Sequence, residues 1–84
     1  MSTILKTQFD WVLVDNTIKV YSDHSRFYRD TFSGNLKSIT PHNAMKLLKG
    51  DTSIKIDLAM LSDDNYNFIV KILNEKNINI SQII

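Results

Sequence analysis

Eighty-four residues, 43% of them hydrophobic and 23% charged, with a formal net charge of +1, suffice for one domain with one small core and leave no length for a second. The chain has no cysteine, which excludes disulfides, thiolate metal sites and a cysteine nucleophile and suits a reducing compartment, so a cytoplasmic location is expected. No apolar run exceeds four residues, as at 58 to 61, far below the roughly 18 to 20 residues that span a bilayer, and neither a leader nor a lipidation signal is expected at its ends.

In chain order, Phe9, Trp11 and Leu13 alternate with Val12 and Val14, a period-two pattern that predicts a strand. Since Val12 and Val14 are also apolar, this strand is expected to be covered on both faces or to lie inside the sheet. Asp15-Asn16 interrupts the pattern with residues that tolerate left-handed backbone, and Thr17 to Tyr21 resumes it, which reads as a β-hairpin. Ser22 or Asp23 then caps a short helix through Arg26 to Phe32, with Gly34-Asn35 as its stop. Thr40-Pro41 is an N-cap followed by a first-turn proline, and Ala44, Met45 and Leu48 follow at helical spacing up to Gly50, predicting a helix over 41–49.

Ile54, Ile56, Leu58 and Met60 alternate with Lys55, Asp57 and Ala59, predicting a strand with one buried face. Ser62, with Asp63 and Asp64 in the first turn, opens a helix over 62–76 whose core side is Tyr66, Ile69, Val70 and Leu73, with Phe68 and Ile72 widening the stripe and Asn77 as C-cap. The isoleucine-rich tail from Ile78 to Ile84 reads as a last strand, whose free edge could pair a second copy of the chain. The expected fold is a single α+β domain over 1–84, order ββααβαβ, with an N-terminal β-hairpin and a small mixed or antiparallel sheet packed by helices. Its expected core is Trp11, Leu13, Ile18, Val20, Leu48, Ile54, Ile56, Leu58, Ile69, Val70 and Leu73.

No motif for catalysis stands out. His24 and His42 are not paired at a metal-ligand spacing, the two glycines form no phosphate loop, and Asp63 and Asp64, adjacent on a helix, diverge by about 100° and cannot flank one bond. No metal, cofactor or enzymatic activity is expected. The charge is uneven: from residue 24 to residue 49 there are Arg26, Arg29, Lys37, Lys46 and Lys49 against Asp30 alone, between mildly acidic ends.

Both arginines fall in Arg26-Phe27-Tyr28-Arg29, where guanidinium forks and aromatic rings could anchor a macromolecule, so the candidate partner-binding residues are Arg26, Tyr28, Arg29 and Lys37. The structural alternative packs Phe27 and Tyr28 inside and lets the arginines extend from the edge. A protein-binding module demands no pocket and survives the absence of motifs. The alternative, a nucleic-acid-binding regulator using the basic 24–49 region, sits less well with a pI near 8.0. Abundant Ile, Asn and Lys suggest an AT-rich genome, and with the small size favour a phage or mobile-element protein that binds and inhibits a host or competing protein.

Overall fold

In the computed structural model, which describes residues 9–32, 34 and 36–84, the alternating N-terminal segment forms strands β1 (Asp10–Val14) and β2 (Thr17–Tyr21). The leader reading at residues 1–7 and the part of Asn35 in the helix stop lie outside the described residues. Val14 pairs with Thr17, leaving a two-residue turn in which Asp15 takes a left-handed φ of 54°, a conformation that Asp tolerates better than most residues. Helix α1 (His24–Phe32) follows, capped by Asp23, whose Oδ1 accepts the Ser25 and Arg26 amides at 2.9 and 3.3 Å.

Strand β3 (Lys37–Ile39), which the sequence pattern does not announce, pairs antiparallel with the outer side of β1. Helix α2 (Pro41–Gly50) comes next, then β4 (Lys55–Asp57), parallel to β2, and helix α3 (Asp63–Glu75). The sheet order is β3-β1-β2-β4, so the domain is α+β with a mixed sheet, and β1 is an inner strand. The element order is ββαβαβα, not ββααβαβ. Thr40 and Ser62 cap α2 and α3 as their positions imply, accepting the Asn43 and Asn65 amides.

Two strands differ from expectation. The alternation over 54–60 yields only three strand residues, because β4 pairs with Thr17–Lys19 and the Asp57 carboxylate then accepts the Ala59 amide at 2.9 Å, turning the chain. The C-terminal strand is instead a 3-10 turn, Ile80–Gln82, followed by a single parallel bridge from Ile83 to Ile56. Helix α3 ends one residue before the expected limit. Asn77 takes a left-handed φ of 60°, its amide reaches the Asn74 carbonyl and the Ile78 amide reaches that of Leu73, the paired bonds that close a helix at a left-handed residue.

The register defines which side chains share a face. Trp11 lies opposite Val20 and Ile39, Leu13 opposite Ile18 and Lys37, and Ile18 beside Ile56. Strand side chains alternate, so these residues occupy one face. They meet Ala44 and Leu48 of α2 and Ile69 and Leu73 of α3 in one buried cluster, which Phe9, Ile54, Leu58 and Ile78 complete. Leu13 and Val70, expected inside, are half-buried at its margin; Leu13 lies where the sheet runs out toward β3. Tyr66 and Phe68 sit at the rim of α3, Phe68 stacked on Phe9 with centroids 6.1 Å apart.

The opposite face carries Asp10, Val12 and Tyr21, and Val12 is fully buried, so β1 is covered on both sides. Helix α1 supplies part of that cover through Phe27, whose ring meets Tyr21 edge-on at 5.8 Å. The sheet therefore separates α1 on one side from α2 and α3 on the other.

Candidate functional site on helix α1

Helix α1 has no buried residue, which sets it apart from α2 and α3. With about 100° between successive residues, Phe27, Asp30 and Thr31 share the side turned to the sheet. Arg26, Tyr28, Arg29 and Phe32 fall on the outward arc. The burial follows this division: Phe27, Asp30 and Thr31 are half-buried and the other four exposed, Tyr28 to 71% and Phe32 to 85%.

Three contacts fix the helix. Phe27 rests on Tyr21, the Tyr21 hydroxyl donates to the Asp30 carboxylate at 2.8 Å, and His24 Nδ1 meets Asp10 Oδ2 near the helix start. The Thr31 hydroxyl donates back to the Phe27 carbonyl at 2.8 Å and so stays within the helix. The inward side chains thus orient the helix, and the outward arc is left to solvent.

Burial first, then the hydrogen bond to Asp30 and the negative charge of Asp30, push the Tyr21 phenol up to about 12. The unfolded chain releases this proton near pH 10, so the stabilisation is complete below about pH 10 and is lost as pH rises toward about 12. Wild type is expected to lose stability relative to Tyr21→Phe across that window, and urea midpoints at about pH 9 and about pH 11 check it. Equal losses in both proteins would remove Tyr21 as the titrating anchor.

Of the sequence-derived candidates, Arg26, Tyr28 and Arg29 lie together on the outward arc. Lys37 is elsewhere, exposed on β3 opposite Leu13, on the sheet face that α2 covers. Phe27 and Tyr28 divide between the two readings, one ring turned in and the other out. Phe32 joins Tyr28 as the second outward ring, and the signal for it was the four-residue spacing that places two helical side chains side by side.

The basic 24–49 stretch is divided as well. Arg26 and Arg29 belong to α1 on one side of the sheet, while Lys46 and Lys49 belong to α2 on the other. Among the described residues no group of three or more His, Cys, Asp or Glu side chains could hold a metal ion. Among them, too, no helix is long and apolar enough to cross a membrane. No protein-family model matches the chain, and neither a curated protein nor a solved structure matches it.

Proposed function

We propose that this chain is a non-enzymatic protein-binding module that engages its partner through the outward arc of α1. The observation that carries the reading is the exposure of Tyr28 and Phe32, 71% and 85%, beside Arg29 on a helix held by its other side. Large aromatic and arginine side chains supply most of the binding energy at protein interfaces, and their exposure on a free domain favours association. Two guanidinium groups flanking the rings suit an acidic rim on the partner. Small size and the Ile, Asn and Lys bias support the narrower reading of a phage or mobile-element protein that binds and blocks a host or competing protein.

The nucleic-acid alternative draws on the same arginines. It needs the remaining cations to continue the phosphate track, and the sheet separates α1 from the lysines of α2. The test is affinity capture from a low-GC bacterial lysate, with and without nuclease, using the wild-type domain and a variant with Arg26, Tyr28, Arg29 and Phe32 all replaced by serine. A discrete protein retained by wild type after nuclease treatment, and lost with the variant while its circular dichroism is unchanged, is expected. Capture that disappears with nuclease and falls log-linearly with salt would favour nucleic acid.

A further inference from the structure

Away from α1, a groove of about 470 Å³ opens between β3 and α2. Leu13, Ile39 and Leu47 supply its apolar lining, Lys37 and Lys46 its charges and Asn43 a polar group, and among the described residues no carboxylate lines it. Beside it, β3 is the last strand of the sheet, and no described strand pairs with its outer side. A three-residue edge bearing a lysine resists a second copy of itself, because pairing would gather like charges along the seam. The same edge accepts an extended segment of opposite charge.

We propose that the groove takes an acidic, extended segment of another protein, added as a fifth strand along β3. The register defines the side chains it would need. Lys37 and Ile39 are two residues apart on the face turned to α2, so the added strand presents a carboxylate opposite Lys37 and, two residues away, an aliphatic side chain opposite Ile39. Lys46 on α2 closes over the carboxylate, and Ile39 and Leu47 receive the aliphatic group. The site uses none of the α1 residues and stands or falls separately from the α1 reading.

The probe is a capped octapeptide with threonine at odd positions and glutamate and valine alternating at even ones, titrated into the isotope-labelled 84-residue chain. Amide shifts are expected at Lys37, Ser38, Ile39, Asn43 and Lys46, with those of Arg26 to Phe32 unmoved. Replacing both lysines by glutamate should weaken binding roughly tenfold or more, and a peptide carrying lysine for glutamate should then bind that variant better than the wild type. These substitutions are on the surface, and an unchanged spectrum elsewhere establishes that the fold is kept. Equal binding of the two peptides to wild type, shifts centred on α1, or no binding at about 1 mM peptide would overturn the proposal.

Discussion

Gln82→Leu is expected to lower the unfolding free energy by about 3 kcal/mol, with the urea midpoint as the measurement. Gln82 is 1% exposed, and its side-chain amide donates to the carbonyls of Leu48, Asp51 and Ile54 at 2.9, 3.1 and 2.9 Å. Leu48 lies in the last turn of α2, where carbonyls lack an intrahelical partner, and Asp51 and Ile54 lie in the loop leading to β4. One amide thus closes a helix, braces a loop and pins the tail to both. Leucine would preserve most of the volume while taking this donor from the buried Leu48 and Ile54 carbonyls, and each acceptor so left costs about 1–3 kcal/mol, while the Asp51 carbonyl keeps the Ile54 amide at 3.2 Å. Gln82→Glu should be worse, because an ionised carboxylate would face the same oxygens. A change below about 1 kcal/mol for Gln82→Leu would mean that the tail does not hold the domain together.

Leu58→Ala is the second large effect, about 2–5 kcal/mol, a loss that threatens the fold of a domain this small. Leu58 is 1% exposed and lies in the cluster between the sheet and the helices just beyond the end of β4. A near-neutral result would put the side chain outside the core, as a one-residue shift of the alternating segment would do.

The same segment illustrates what the sequence can and cannot carry. Alternation reports burial, and Ile54, Ile56 and Leu58 are all buried as the pattern requires. Strand length is another matter, because it depends on how far β2 runs beside it and on where Asp57 turns the chain. β3 has the opposite problem: Lys37-Ser38-Ile39 shows no apolar repeat, and it is a strand only because β1 leaves an edge for it. The tail combined both difficulties. Gln82 falls on the same face of the expected strand as Ile78, Ile80 and Ile84, and the acceptors that account for its burial lie 28 to 34 residues away, beyond any local pattern.

At the candidate site, clustering of both arginines beside two aromatic rings was visible in the residues themselves. Which ring turned inward was not, since Phe27 and Tyr28 are adjacent and either could have met Tyr21. Lys37 joined the cluster in the sequence by nearness along the chain, and the hairpin and sheet order carry it to the α2 face instead.

The most direct measurement of the α1 surface is site-specific photocrosslinking. Tyr28→p-benzoylphenylalanine places the reactive group on the outward arc, and Lys71→p-benzoylphenylalanine places it on an exposed position of α3 as the reference. After irradiation in nuclease-treated low-GC bacterial lysate, the position-28 variant is expected to yield a discrete protein adduct that the position-71 variant does not. Loss of that adduct on further changing Phe32→Ser or Arg29→Ser would tie it to the same arc. Equal adducts at both positions, or adducts at position 28 that consist of nucleic acid, would contradict a protein-binding face on α1.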